Sequence, residues 1–143
     1  MEQDRLPILV GDERRLKQVL INLVKNALKF TSKGKIVVKA GYNYSLKSII
    51  VHVEDSGVGI ACEDFPKLFS RFGKLKRTEE FNSEGMGLGL TIVKQIIEQS
   101  GGQIEVRSEG PGLGSLFILS MRMEGSCDIN EIAIEALNEE SEI

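Results

Sequence analysis

Cysteine, histidine and proline are scarce in this chain: two, one and three residues among 143. Each scarcity excludes something. Cys62 and Cys127 lie far apart and show no metal-ligand spacing, so they read as free thiols of a reducing compartment. A single histidine, His52, leaves no Ser/His/Asp or Cys/His arrangement to build, and its mid-strand position gives it a structural reading. No apolar run approaches the ~18 residues of a membrane-spanning helix, and no signal peptide is visible. Basic charge is not in excess. Eighteen Lys and Arg against 21 Asp and Glu give a net charge of −3, which argues against a nucleic-acid partner and against direct membrane contact. The expected setting is cytoplasmic, with any membrane anchor in another part of a parent protein.

What remains is an ordinary globular composition, 41% hydrophobic and 27% charged. The length suits one domain that buries roughly two thirds of its unfolded surface. A short apolar run, Leu6 to Val10, comes first. Asp12 then offers an N-cap, and Leu16, Val19, Leu20, Leu23, Val24 and Ala27 recur at helical spacing to about Thr31, with Gly34 as stop. Strand-like runs follow at 35–40 and 48–54, with Asn43, Tyr44 and Ser45 as a hairpin loop. Ile49, Val51 and Val53 alternate with Ile50, His52 and Glu54, so one sheet face is expected to be covered. Residues 63–72 read as a short helix and 87–100 as a long one, ended by Gly101. Between them, 73–86 is a polar connection long enough to suggest function or disorder. Strands at 103–108 and 115–123 close the domain across Gly110-Pro-Gly-Leu-Gly114. From Glu124 onward there are seven acidic residues and no basic ones, so 124–143 reads as an acidic linker or tail and 1–123 as the domain. The expected fold is an α/β (α+β) sandwich, helices on one face of a mixed, mostly antiparallel sheet.

Three constellations bear on chemistry. Gln18, Asn22, Asn26 and Lys29 share one helix face. An amide oxygen is a neutral hard ligand for Mg²⁺ and an ammonium pairs with phosphate, although a solvated face is the ordinary reading of such a stripe. Asp55-Ser-Gly57-Val-Gly59 follows a strand directly. Its carboxylate suits an exocyclic amine and its glycines suit close backbone approach, although Asp-Ser-Gly is also common turn chemistry. Gly85-Met-Gly87-Leu-Gly89-Leu90 opens the second long helix, where free N–H groups and the helix dipole favour anions. It follows a loop rather than a strand, and no Gly-Lys-Ser/Thr follows, so it is neither a dinucleotide fingerprint nor a P-loop. Phe69 and Phe72 read first as core residues.

In order along the chain, these segments resemble the catalytic domain of sensor histidine kinases, in the ATP-binding superfamily shared with gyrase-type topoisomerases and some chaperones. Asn22-Leu-Val-Lys-Asn26-Ala-Leu-Lys29-Phe30-Thr resembles the family's N box. Asp55-Ser-Gly-Val-Gly59-Ile60 resembles its first glycine box, Phe69-Ser-Arg-Phe72 its F box, Gly85-Met-Gly-Leu-Gly-Leu90 its second glycine box and Gly112-Leu-Gly114-Ser115 its third. The resemblance implies ATP and Mg²⁺ as ligands, with Asn26 on the metal, Asn22 beside it, Lys29 on phosphate and Phe30 flanking the nucleotide. It implies that Asp55 accepts the adenine amino group, with Gly57, Gly59, Ile60 and Ser115 nearby. Residues 73–86 become an ATP lid, with Gly85, Gly87, Leu88, Gly89 and Leu90 at its end and Phe69 and Phe72 at its start. Arg71, Lys74, Lys76 and Arg77 become possible phosphate contacts.

The resemblance also implies partners: a helical hairpin bearing the phosphoacceptor histidine and a response-regulator receiver domain downstream. Similar domains have a further helix and an edge strand before the segment at Leu6 to Val10, so this chain reads as an N-terminally truncated form. The contrasting expectation is a nucleotide-binding interaction module without phosphotransfer.

Overall fold

The computed structural model of the chain describes residues 6–69 and 88–125. Its elements are β1 (Leu9–Val10), α1 (Glu13–Phe30), β2 (Ile36–Asn43), β3 (Ser48–Asp55), a 3-10 helix (Cys62–Lys67), α2 (Leu88–Gln99), β4 (Gln103–Arg107), β5 (Ser115–Arg122) and β6 (Glu124–Gly125). Four strands form one sheet in the order β2-β3-β5-β4, and every pairing in it is antiparallel. The short strands β1 and β6 form a second, two-stranded ladder, Leu9 opposite Gly125 and Val10 opposite Glu124.

Strand parity decides which face is buried. Ile49, Val51 and Val53 of β3 and Phe117, Leu119 and Met121 of β5 point to one side and are buried. Val19, Leu23 and Ala27 of α1 and Val93, Ile96 and Ile97 of α2 cover them in a single core cluster. At about 25 cal/mol per Å² of apolar surface, each of these side chains larger than Ala27 contributes roughly 1.5–3 kcal/mol. His52 lies on the other face, half-buried and opposite Lys39 and Ile118. The expected sandwich is therefore the observed one.

The helix ends follow their sequence signals. Asp12 caps α1, its carboxylate accepting from the Arg15 N–H at 3.2 Å. Gly101 takes φ +74° after α2. Its N–H donates to Glu98 O and the Gly102 N–H to Ile97 O, the paired bonds of a Schellman ending. Exposed Glu13 bonds Lys17 at 2.8 Å, and that hydrogen bond and charge hold its carboxyl below the usual range.

Two expectations need correction. β2 continues through Gly41, Tyr42 and Asn43, and the turn is 44–47, with the Asn43 side chain accepting from Leu46 N. The expected helix from Glu63 begins instead as a 3-10 helix containing Pro66, which has no N–H to donate into an α-helical ladder. Phe72, the end of that helix, lies outside the described residues, as do the lid at 73–86 and most of the acidic tail.

Candidate functional site

The alternation that buries Ile49, Val51 and Val53 continues one step to Asp55, the last residue of β3. Asp55 stands on the covered face at the end of the sheet and is 6% exposed. β5 begins directly opposite, pairing Ser115 with Asp55. The Ser115 hydroxyl donates to Asp55 Oδ2 at 2.6 Å, and the Gly57 N–H donates to Oδ1 at 2.9 Å. Both carboxylate oxygens are thus held, and each keeps a lone pair for a further donor.

The turn after Asp55 is packed backbone against backbone. The Val58 N–H donates to Phe30 O at 3.0 Å, satisfying a carbonyl at the end of α1. A methyl group at Gly57 would stand 2.1 Å from that same carbonyl oxygen. Gly59 has φ +69°, and a side chain there would meet Gly110 O at 2.1 Å. From the other side, Gly112 N donates to Val58 O and Gly114 N to Gly57 O. Gly57 and Gly59 let protein backbone approach closely: the first and third glycine segments interlock with each other and with α1.

Ser108 ties the same knot and was not singled out from sequence. Its hydroxyl donates to Gly114 O at 2.6 Å and accepts from the Ile60 N–H at 3.1 Å. Ile60 is buried with Leu68 in a second small cluster that Phe65, Phe69, Leu90 and Val106 border. A serine at the end of a strand before Gly-Pro-Gly carries no mark of this role, because Ile60 is remote in sequence and the bond to Gly114 depends on how the intervening loop folds back.

α1 runs into this knot. Asn26 lies one turn and Asn22 two turns before Phe30, about 6 and 12 Å back along the helix axis. Both are half-buried and flank the Val19, Leu23, Ala27 stripe. The Lys29 ammonium is 5.8 Å from the centroid of the Phe30 ring, which is itself half-buried.

The remaining expected residues divide. Phe69 is half-buried, packs against both clusters, accepts the Thr91 hydroxyl at its carbonyl and lies 5.5 Å from the Lys94 ammonium. This fits the core reading of Phe69. Leu90 also packs against both clusters. Gly89 is exposed near the start of α2, and a methyl group there would meet nothing within 4 Å. Phe72, Gly85 and Gly87 lie outside the described residues, as do Arg71, Lys74, Lys76 and Arg77. Leu88 opens α2. Among the described residues no group of His, Cys, Asp or Glu could hold a metal ion by itself. An ion arriving with a phosphate chain needs less, since Mg²⁺ keeps several waters and takes phosphate oxygens with one or two protein ligands. A half-buried amide such as Asn26 fits that requirement.

An acidic residue at a strand end, an amide-bearing helix running into it and a glycine near a helix start are the features from which the candidate site is built. Residues 11–125 match the family model "Histidine kinase-, DNA gyrase B-, and HSP90-like ATPase", and the chain belongs to that family. Within it, the sensor histidine kinase catalytic domains are the group this chain falls among. It is 41% identical over 123 residues to the sensor histidine kinase GacS of Pseudomonas protegens, covering 84% of this chain and 13% of that protein. It is 37% identical over 140 residues to the sensor histidine kinase RcsC of Escherichia coli K12, covering 96% of this chain and 14% of that protein. Among solved structures, the catalytic domain of histidine kinase ThkA superposes with a TM-score of 0.64 at 38% identity, covering 78% of this chain and 68% of that one. Full-length ShkA in complex with AMPPNP superposes at 0.75 with 29% identity, covering 88% and 25%. The chain thus spans about a seventh of the length of those two curated relatives.

Proposed function

We propose that this domain binds Mg-ATP and transfers the γ-phosphoryl group to a histidine on a separate helical-hairpin domain, in a relay that passes on to a response-regulator receiver domain. The observation that carries the reading is Asp55, buried and fixed by Gly57 and Ser115 with lone pairs to spare for the adenine amino group. The family membership and the AMPPNP complex of ShkA support nucleotide as the ligand. Asn26 would hold the metal ion, which supplies neutralisation of phosphate charge. Asn22 and Lys29 would order the phosphates, Phe30 would flank the nucleotide, and the start of α2 at Gly89 would receive phosphate oxygens.

An imidazole nitrogen attacks phosphorus with its own lone pair, and ADP leaves as the bond to the bridging oxygen breaks. The domain then needs to position and neutralise, not to supply a base. Hydrolytic relatives resemble one another in a glutamate one turn before the metal asparagine, and Asn22 stands there in this chain. An amide cannot activate water, so hydrolysis in the absence of acceptor is expected to be slow.

The proposal takes the acceptor from another domain, and the mid-strand place of the chain's one histidine, in β3 between β2 and β5, supports that choice. That leaves a second reading, a nucleotide-binding interaction module without transfer. Two measurements decide. Calorimetric titration with a non-hydrolysable ATP analogue and Mg²⁺ is expected to show binding that Asp55→Asn weakens by about 10- to 100-fold, the value of a hydrogen bond to a charged group. Labelled ATP with a purified acceptor hairpin is expected to yield acid-labile label on the hairpin. Binding without label would leave the module reading. A cytoplasmic setting is part of the same proposal. Among the described residues no helix is long and apolar enough to cross a membrane.

A further inference from the structure

The two helices stop short of one edge of the sheet. α1 crosses β3, and α2 lies over β4 and β5. Val38 and Ala40 of β2 stand opposite Val53 and Val51 and share their face by strand parity. Val53 and Val51 are buried, yet Val38 is 50% exposed and Ala40 is exposed as well. The nearer flank of α1 is also apolar. Arg15 lies on the flank that turns to α2, where it bonds Gln99 at 2.6 Å. Leu20, Val24 and Leu28, spaced by four, lie on the opposite flank, and Leu28 is 61% exposed. These residues and the uncovered face of β2 wall an open apolar trough. Its outer rim on α1 is basic, carrying exposed Arg14, Lys17 and Lys25. Arg14 and Lys25 have no ion pair among the described residues.

The last described residue sits at the mouth of this trough. The Gly125 N–H donates to the Tyr42 hydroxyl at 2.8 Å, and Tyr42 follows Ala40 by two residues on the same face of β2. Residues 126–143, outside the described ones, come next. In their sequence Ile129, Ile132, Ala133, Ala136 and Leu137 recur at helical spacing, and Asp128 followed by Glu131 is a helix-start signature. Asp128, Glu135 and Glu139 fall on one side of that apolar stripe, and the segment has six acidic residues and no Lys or Arg. A helix this short is marginal alone in water and needs a surface for its apolar face. We propose that residues 126–143 fold back as an amphipathic helix beside α1, the stripe on Val24, Leu28 and Val38 and the acidic side toward Arg14, Lys17 and Lys25. Three properties fit this segment to the trough: it begins at the mouth, its charge is opposite to the rim, and a helix over 128–140, about 20 Å long, lies within the roughly 27 Å of α1. Asn22 and Asn26 are on the α2 side of α1, so the docking stands or falls separately from nucleotide binding.

The test is methyl NMR on the full chain. Cross-peaks are expected between the methyl groups of Ile129 or Ile132 and those of Val24, Leu28 or Val38. Ile132→Asn is expected to abolish them and to shift the Val24, Leu28 and Val38 methyls. Asn138→Ser, on the far side of the stripe, is expected to leave both unchanged. Reversing the rim with Arg14→Glu and Lys25→Glu is expected to weaken the cross-peaks. Trough methyls unmoved by Ile132→Asn overturn the docking, as do contacts of the tail with any other face. Cross-peaks that arise only between differently labelled chains in a mixed sample put a second copy in the trough and overturn the intramolecular docking. Cross-peaks undiminished by the reversed rim overturn the charge match.

Discussion

Gly57 and Gly89 belong to glycine clusters that look alike as strings, and the atoms around them differ. A methyl group at Gly57 collides with the Phe30 carbonyl, which is already taken by Val58 N. Neither backbone can yield without losing that bond. Gly57→Ala is therefore expected to cost about 3 kcal/mol in chemical denaturation, the upper range for overpacking. At Gly89 a methyl group meets open space. Alanine is the better helix former, so Gly89→Ala is expected to leave stability unchanged or raise it by about 0.5 kcal/mol. The same change puts a methyl group where phosphate oxygens are proposed to sit, and affinity for Mg-AMPPNP is expected to fall. Equal affinity in calorimetry would remove Gly89 from the site. The contrast explains why the sequence supports a ligand reading for both clusters alike. Gly57 meets Phe30 and Gly114 only after distant segments have folded together, and spacing within a motif carries no record of that.

At the scale of elements, the signals that proved legible are those with a local cause. α1 was readable because its apolar residues repeat with the helix period and Asp12 precedes them, and β3 because its alternation is unbroken from Ile49 to Val53. The end of β2 was not, since Gly41 and Asn43 are turn formers by local preference, and only pairing of Tyr42 with Ile49 and Asn43 with Ser48 keeps them in a strand. The polar grouping around Asp55 was legible as chemistry but not as geometry: Asp55 and Ser115 are brought opposite each other by sheet register, and Ser108 enters through a bond to Ile60 that no motif encodes. The stop of α2 lies at the legible end of this range. Gly101 takes φ +74° with nothing near its missing side chain, so the strain of a side chain there is purely conformational. Gly101→Ala is expected to lower stability by about 1 kcal/mol through the left-handed backbone alone. Nucleotide affinity should stay as it was, because the start of α2 at Leu88 is thirteen residues away and the helix between is packed on the core. A drop in affinity matching the drop in stability would show that the stop of α2 is coupled to its start.

For the molecule as a whole, the sheet separates two ends. Asp55 closes one end of β3 and Ser48 the other, seven residues or roughly 23 Å away. At the Ser48 end the Tyr42 hydroxyl ties the main sheet to the small β1–β6 ladder: it donates to Met123 O at 2.7 Å and accepts from the Gly125 N–H at 2.8 Å. Met123 in turn packs beneath Gly11, where the chain passes from β1 into α1. Tyr42→Phe keeps the ring and its edge-on packing with Tyr44 but strands two backbone groups. A loss of about 1–2 kcal/mol is expected, with amide exchange accelerating first in β1 and β6. Affinity for nucleotide should not change, since the carboxylate anchor, the glycine knot and the end of α1 lie at the other end of the sheet. If affinity instead fell with the ladder's protection, α1 would have to be transmitting the loosening of its N-terminal attachment along its length to Asn22, Asn26 and Phe30. The stability of the β1–β6 ladder would then control the site, and whatever the rest of a parent chain does to that ladder would be felt by the nucleotide.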